Sequence, residues 1–137
     1  MGIVGIGVDV CEVGRLRRAL MRAGFRRRVF SETEARYCNR RARPEVHFAA
    51  RFAAKEAFFK ALGTGWRGGI GWRDVSVGAR RAGGPTLRVD GAAARASKAL
   101  GVSRSHLSLS HSGDYAVAVV VLEAAERSRG VRTGRRR

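Results

Sequence analysis

A carboxylate and an ammonium lie four residues apart in the segment 48–65, FAARFAAKEAFFKALGTG. This segment predicts an amphipathic helix that ends at a Gly-Thr-Gly turn, so Glu56 and Lys60 share one helical face. A carboxylate in that position can bind a cation, and an ammonium can bind a phosphate. The alternative is a surface helix with one Glu–Lys ion pair and no part in chemistry, and two further segments bear on the choice.

The first of these segments is a run of β-branched residues near the N-terminus, which predicts a buried strand. The run consists of Ile3, Val4, Ile6, Val8 and Val10. Asp9 lies near its end, and an unpaired carboxylate is expensive to bury. We therefore expect Asp9 to face water, a partner or a metal, or to cap the helix that follows.

The other segment, HLSLSHSGDYAVAVVV at residues 106–121, predicts two strands joined by a tight turn at Gly113 and Asp114. His111 and Ser112 would then lie at the mouth of the hairpin. A histidine beside a turn is often an ordinary surface residue, so this position by itself leaves a catalytic role open.

Taken in order, GIGVDVCEVGRL, FAARFAAKEAFFKALGTG and LSLSHSGDYAVAV resemble the holo-acyl-carrier-protein synthase family of small phosphopantetheinyl transferases. The resemblance covers roughly residues 2 to 122. VFSETEARYC and GGPTLRVDGAA resemble the family's connecting pieces. The resemblance implies transfer of the 4′-phosphopantetheine arm of coenzyme A to a serine of an apo acyl carrier protein, with release of adenosine 3′,5′-bisphosphate.

The resemblance also implies roles for individual residues. It implies that Asp9 and Glu56 bind magnesium, a hard cation that takes oxygen ligands. Glu56, Lys60 and His111 are the implied catalytic residues, with Lys60 as the ammonium that offsets phosphate charge. Either Glu56 or a metal-held water would take the serine proton. The implied contacts of coenzyme A are Arg51, Lys55, Lys60, Gly63, Gly65, Pro85, His111 and Ser112.

A basic ridge is predicted on the helix expected from Glu12 to Ala23, whose apolar stripe is Leu16, Ala19, Leu20 and Ala23. The ridge consists of Arg15, Arg18 and Arg22, extended by Arg26. It could be a solvated face. The family resemblance implies an acidic carrier protein as its partner, and charge complementarity would speed that encounter.

Composition predicts one domain at residues 1–123, followed by a basic disordered tail at 124–137. The chain of 137 residues has a net charge of +17, and only Lys55, Lys60 and Lys98 of its 28 basic residues are lysines. No apolar run is long enough to span a membrane, and no charged leader precedes the first strand. Cys11 and Cys38 fit no metal-ligand spacing, so we expect reduced thiols and a cytoplasmic protein.

The predicted elements are strands 2–9, 73–79, 86–90, 106–111 and 115–122 and helices 12–23, 31–39, 45–62 and 91–100, which indicate an α+β fold. The resemblance adds a compact antiparallel sheet wrapped around the long central helix. It also implies a homotrimer with active sites at subunit interfaces, where Asp9, Glu56 and Lys60 belong to one protomer and His111 to either. The rival hypotheses are a basic nucleic-acid-binding module and an inactive scaffold of the same fold.

Overall fold

The computed structural model describes residues 2–63 and 69–126. Within them the fold is α+β, as predicted. The strands are β1 (Gly2–Glu12), β2 (Val75–Ala79), β3 (Pro85–Val89), β4 (Val102–Ser112) and β5 (Tyr115–Ala124). The helices are α1 (Val13–Leu20), α2 (Phe25–Val29), α3 (Glu32–Asn39), α4 (Pro44–Leu62) and α5 (Gly91–Ala99), and Trp72–Asp74 forms one 3-10 turn.

The three long strands form an antiparallel sheet in the order β1-β5-β4, and β2 pairs with β3 in a separate hairpin. Helix α4 crosses the inner face of the three-stranded sheet, against β1 and β5. Gly5 and Gly7 permit this close approach: a Cβ atom at either position would clash with the carbonyl group of Ala61 or Ala57. The two glycines therefore set how closely α4 packs against the strand that carries Asp9.

The outer face of β1 corrects the prediction of a buried strand. Ile3, Ile6, Val8 and Val10 keep 66%, 67%, 54% and 57% of their surface exposed. Side chains alternate across a strand, and the glycine row is the one that faces α4, so most of the β-branched row faces outward. On the neighbouring strand β5, the residues paired with Ile6, Val8 and Val10 are Val121, Val119 and Val117. These valines continue the apolar row of β1.

Helix α4 is buried around most of its circumference, so the amphipathic pattern predicted for it is wrong. Lys60 is its one exposed residue. The apolar side chains of Phe48, Phe59 and Leu62 are buried as expected, and Phe52 is partly buried. Pro44 occupies the first turn, where its missing N–H costs nothing, and Gly63 ends the helix with a φ of 72°.

Several element boundaries differ from the predictions, and strand β1 ends at Glu12 rather than at residue 9. Helix α1 ends at Leu20 rather than Ala23, because the chain turns at Gly24, whose φ is 80°, before the unpredicted helix α2. The second strand begins at Val75, because a carboxylate oxygen of Asp74 accepts a hydrogen bond from the Gly71 N–H and closes the 3-10 turn. Strand β4 begins four residues early, at Val102.

The C-terminal boundary of the domain stays a prediction. Strand β5 includes Ala124, the first residue of the predicted tail, and residues 127–137 lie outside the described part of the chain. Among the described residues, no helix has both the length and the apolar character needed to cross a membrane.

Candidate active site

A groove of about 520 Å³ lies between β1, α1 and α4, and we call it the carboxylate groove. Its walls carry Asp9 and Glu56 together with Arg15, Arg22, Phe52 and Tyr115. Asp9 belongs to the inner row of β1, and Glu56 projects from the middle of α4. The glycines of β1 therefore bring into one cavity two carboxylates that are 47 positions apart in the sequence.

Lys60 lies beside Asp9 at the edge of this groove. Its Nζ atom is 2.9 Å from Asp9 Oδ1 and donates a second hydrogen bond, of 3.0 Å, to the Val8 carbonyl oxygen. The side chain of Asp9 is 16% exposed, whereas that of Lys60 is 54% exposed. The ammonium therefore remains accessible to an anionic ligand while it contacts the carboxylate.

The two carboxylates influence each other. Burial raises the pKa of Glu56, the negative charge of Asp9 raises it further, and Lys60 lowers it. A half-buried carboxylate beside a second carboxylate favours a bound cation, which would offset both negative charges. Two carboxylates, with water and substrate phosphate completing the shell, suit magnesium. The described residues contain no cluster of three acidic, histidine or cysteine side chains that could form a complete protein cage.

A second cavity, of about 450 Å³, opens on the other side of α4, and we call it the arginine pocket. It is lined by Arg51 and His111 together with Tyr37, His47, Pro85 and Ser110. The guanidinium of Arg51 lies 4.1 Å from the centre of the Tyr37 ring, and that of Arg41 lies 4.2 Å from it.

Arg51 is 7% exposed and incompletely hydrogen-bonded. Its Nη1 atom donates a long hydrogen bond of 3.5 Å to the His47 carbonyl oxygen, and its buried Nε has no partner among the described residues. A buried guanidinium with spare donors is a strong site for a phosphate or carboxylate.

His111 reaches the arginine pocket from the end of β4. It is paired with Ala116 of β5, which is paired with Cys11 of β1, so His111 and Asp9 lie on strands that are two spacings apart, about 10 Å. Helix α4 crosses the sheet between them. One chain therefore does not bring His111 into the cavity that holds Asp9 and Glu56.

Sequence reasoning missed Tyr37 and His47. Burial lowers the pKa of His47, and the positive charges of Arg51 and Arg41 lower it further. His47 precedes Arg51 by four residues, and Tyr37 precedes Arg41 by four. This helical spacing was a signal that could have linked both residues to the arginines.

Comparison with known proteins identifies the family. A model of the 4′-phosphopantetheinyl transferase superfamily matches residues 5–120. The chain belongs to the 4′-phosphopantetheinyl transferase superfamily. The resemblance to holo-acyl-carrier-protein synthases seen in the sequence is thereby confirmed.

Individual relatives of the superfamily match over nearly their whole length. The holo-[acyl-carrier-protein] synthase of Koribacter versatilis is 48% identical over 123 residues, which cover 88% of this chain and 98% of the relative. The crystal structure of the Neisseria meningitidis synthase superposes with a TM-score of 0.80 at 35% identity, covering 89% of this chain and 99% of that one. The Bacillus anthracis synthase, solved in complex with CoA (3′,5′-ADP), gives a TM-score of 0.73 at 36% identity, with 90% and 98% covered.

Lys55 lies in the protein core rather than on the wall of either cavity. Its side chain is fully buried, and its ammonium donates to Glu34 Oε1 and to the Val29 and Trp72 carbonyl oxygens. An ammonium has three protons, and all three are used. Within the described chain the side chain of Lys55 is enclosed by protein and has no donor left for a phosphate, which does not favour the predicted contact with coenzyme A.

Of the remaining predicted coenzyme A contacts that the structure describes, only Pro85 lines one of the two cavities. Pro85 lines the arginine pocket with Arg51 and His111, while Ser112 is exposed at the end of β4. Gly63 ends α4 next to Lys60, and Gly65 lies outside the described residues.

The residues of the predicted basic ridge lie in three different places. Arg15 and Arg22 line the carboxylate groove, although Arg22 follows the end of α1 rather than lying on it. Arg18 is exposed on the last turn of α1 and does not line the groove, and Arg26 lines a different cavity beyond α2.

Proposed function

We infer that this protein transfers the 4′-phosphopantetheine group of coenzyme A to a serine hydroxyl of an apo acyl carrier protein. The serine oxygen forms a bond to the β-phosphorus, and the bond to the oxygen that bridges to the α-phosphate breaks. The products are holo carrier protein and adenosine 3′,5′-bisphosphate. The end-to-end likeness to proteins named holo-[acyl-carrier-protein] synthase carries this conclusion.

We propose that Asp9 and Glu56 hold a magnesium ion in the carboxylate groove. The supporting observation is the pair of interacting carboxylates in one cavity, with the ammonium of Lys60 already beside Asp9. Magnesium bound there would offset the charge that develops on the pyrophosphate. Lys60, which is half exposed, would contribute its ammonium to the same phosphates.

Glu56 is the carboxylate that we propose as acceptor of the serine proton. It lies in the groove that Arg15 and Arg22 flank, and burial raises its pKa. A carboxylate beside the attacking hydroxyl can accept its proton as the new bond forms. His111, from the arginine pocket, would orient coenzyme A.

The arginine pocket is the proposed site of the nucleotide end of coenzyme A. Arg51 supplies a buried guanidinium with spare donors, and Pro85 and His111 complete the walls. We also propose that coenzyme A contacts Ser112, at the end of β4, and Gly63, at the end of α4.

We further propose that the protein is a homotrimer with interfacial active sites, as the family resemblance implies. The exposed apolar row of β1 and its β5 neighbours provides a face for self-association. Because α4 separates the two cavities within a chain, a complete site would combine the carboxylate groove of one protomer with His111 of its neighbour.

The carrier protein would dock on Arg15 and Arg22, which flank the groove that holds the proposed metal ligands. An acidic surface beside the target serine would complement them and increase the association rate. Arg18 is a peripheral member of this surface. The free thiols of Cys11 and Cys38 support a cytoplasmic setting for the reaction.

Intact-mass spectrometry tests the reaction directly. An apo acyl carrier protein incubated with this protein, coenzyme A and magnesium should gain the mass of one phosphopantetheine arm. A chelator should prevent the gain, and magnesium should restore it. Absence of any gain on fatty-acid and assembly-line carrier proteins would contradict the proposed function.

Mixing two inactive variants tests the interfacial site. Asp9→Ala and His111→Ala proteins, denatured together and refolded, should regain activity because some interfaces combine two intact halves. Random mixing in a closed ring makes about a quarter of the sites complete. Each variant refolded alone is the control, and a mixture as inactive as its components would contradict complementary halves.

A further inference from the structure

A fully buried ion pair lies behind both cavities and has no part in the chemistry described above. Lys55 is 0% and Glu34 is 1% exposed, and the Lys55 Nζ atom lies 2.7 Å from Glu34 Oε1. Burial lowers the pKa of Lys55, while the charge and the hydrogen bond of Glu34 oppose that change. The pair is thus a charged group enclosed entirely by protein.

The hydrogen bonds of Lys55 extend from α4 to two other elements. Besides Glu34, its ammonium donates to the Val29 carbonyl oxygen at 2.7 Å and to the Trp72 carbonyl oxygen at 3.2 Å. Val29 is the last residue of α2, and Trp72 begins the 3-10 turn. One side chain therefore fixes α4 to the end of α2 and to the turn before β2.

The carboxylate of Glu34 extends the connections further. Its Oε1 atom accepts from the Ser31 N–H, and its Oε2 atom accepts from the Val77 N–H, each at 3.0 Å. The Ser31 Oγ atom in turn accepts from the Glu34 N–H, which completes a capping box at the start of α3. Glu34 therefore joins α3 to β2 as well as to Lys55.

These connections end at the walls of both proposed substrate sites. Val77 lines the arginine pocket. Phe25, on the same short helix as Val29, lines the carboxylate groove, and Glu56 follows Lys55 directly on α4. A displacement at the ion pair would move one wall of the nucleotide site and one wall of the carrier groove relative to α4.

Stability alone is a weak reason to bury this pair. Removing two charges from water is costly, and apolar side chains of similar volume often replace a buried ion pair with unchanged or higher stability. What apolar packing does not reproduce is a set of directional bonds to four separate backbone positions. A misplacement of 1 Å at a reacting centre can cost about a hundredfold in rate.

We propose that Glu34 and Lys55 are positioning residues that hold the walls of the arginine pocket and of the carboxylate groove in place against α4, so that each chain presents both of its half-sites in the geometry that transfer requires. The inference rests on the proposed function of the two cavities. Lys55 holds the walls of the two cavities in position without contacting either substrate.

The test is the double variant Glu34→Leu/Lys55→Met, compared with the wild type for melting temperature and for steady-state transfer. We expect an unchanged or higher melting temperature, with kcat at saturating substrates lowered about tenfold to a hundredfold well below that temperature. The matched control is Glu32→Leu/Arg36→Met, which introduces the same two apolar side chains at an exposed ion pair on α3, and it should keep wild-type kinetics. Wild-type kcat in the buried double variant would overturn the proposal.

The single variant Glu34→Gln covers the case in which the double variant does not fold. It keeps the side-chain shape and can accept from Ser31 and Lys55, but its amide nitrogen cannot accept from the Val77 N–H. We expect a raised KM for coenzyme A and an unchanged KM for the carrier protein, because the missing bond lies behind the arginine pocket. Unchanged constants for both substrates would overturn the proposal. Transfer by the wild type is measured first, and its absence would overturn the proposed function itself.

Discussion

The carboxylate groove and the arginine pocket lie on different sides of the same helix and carry opposite charges. Glu56 and Arg51 are five residues apart on α4, which places them about 140° apart around its axis. The groove presents Asp9 and Glu56, whereas the pocket presents a buried guanidinium stacked on Tyr37. One buried helix thus carries a carboxylate on one side and a buried guanidinium on the other.

This contrast indicates that the two cavities suit different kinds of ligand. Two carboxylates in one cavity suit a metal ion, and a guanidinium with spare donors suits a phosphate. The two sides also differ in how they are built. In the groove, β1 supplies Asp9 and α4 supplies Glu56, and the glycines of β1 bring them together. In the pocket, α3, α4, the β2–β3 hairpin and β4 each supply part of the wall.

Removal of the carboxylates should have the largest effect. In Asp9→Ala and Glu56→Ala proteins we expect transfer to fall about a thousandfold or more, because the charge of the pyrophosphate is no longer offset. The rate at which the carrier protein gains the mass of the phosphopantetheine arm measures the transfer. The control is Glu45→Ala, an acid at the start of the same helix that pairs with Arg43. Near-normal transfer in either groove variant would contradict the metal assignment.

Loss of the buried guanidinium should act on one substrate only. Arg51→Gln should raise the KM for coenzyme A and weaken the binding of adenosine 3′,5′-bisphosphate about tenfold to a hundredfold, the range expected for a lost bond to a charged group. Calorimetry measures the binding and initial rates measure the KM. Arg88→Gln, on the exposed part of β3, is the matched control. An unchanged KM for coenzyme A would exclude the arginine pocket as the nucleotide site.

Charge reversal at the groove should affect the other substrate. Arg15→Glu/Arg22→Glu should raise the KM for the carrier protein about tenfold at low salt, with a smaller effect at high salt, and should leave the KM for coenzyme A unchanged. Arg80→Glu/Arg81→Glu, at the exposed β2–β3 turn, makes the same change of charge elsewhere. If both constants rose together, the groove would not be a docking surface.

The closeness of β1 to α4 can be tested at Gly7. Gly7→Ala places a methyl group against the Ala57 carbonyl, so we expect a loss of about 1–3 kcal/mol in the free energy of unfolding. Activity should fall with it, because Glu56 is pushed away from Asp9. Gly2→Ala, on the same strand with open space around it, is the control. Denaturant unfolding gives both values, and equal stability would contradict the close approach.

The smallest effect concerns the two thiols, one near each cavity. Burial raises the pKa of Cys11 to about 11, assisted by Asp9, and raises that of Cys38 to about 11 against the opposing charge of Arg51. Relative to the ordinary value of 9.0, the thiolate fraction at pH 8 is about a hundredfold lower.

We therefore expect slow reaction of both native cysteines with a disulfide reagent at pH 8, and fast reaction in denaturant. A folded pKa above the unfolded one means that this contribution to stability is complete below pH 9 and is lost as the pH rises toward 11. Rates in the native protein equal to those in denaturant would contradict the burial.

The sequence by itself determined the family, the order of the main elements and the local features of the site. Glu56 and Lys60 share a helical face because four residues make about one turn, and the turn of the hairpin follows from Gly113. These features depend on neighbours along the chain, which a sequence displays directly.

The tertiary structure decided what lies against what. A β-branched strand was predicted to be buried, but Gly5 and Gly7 take the inner face and most of the β-branched row faces outward. Lys55, one residue before Glu56, was assigned to coenzyme A, yet it points into the core toward Glu34, 21 positions away in the sequence. Tyr37 joins Arg51 only because α3 packs on α4. Burial and charge pairing depend on contacts between distant segments, and a pattern of neighbouring residues does not contain them.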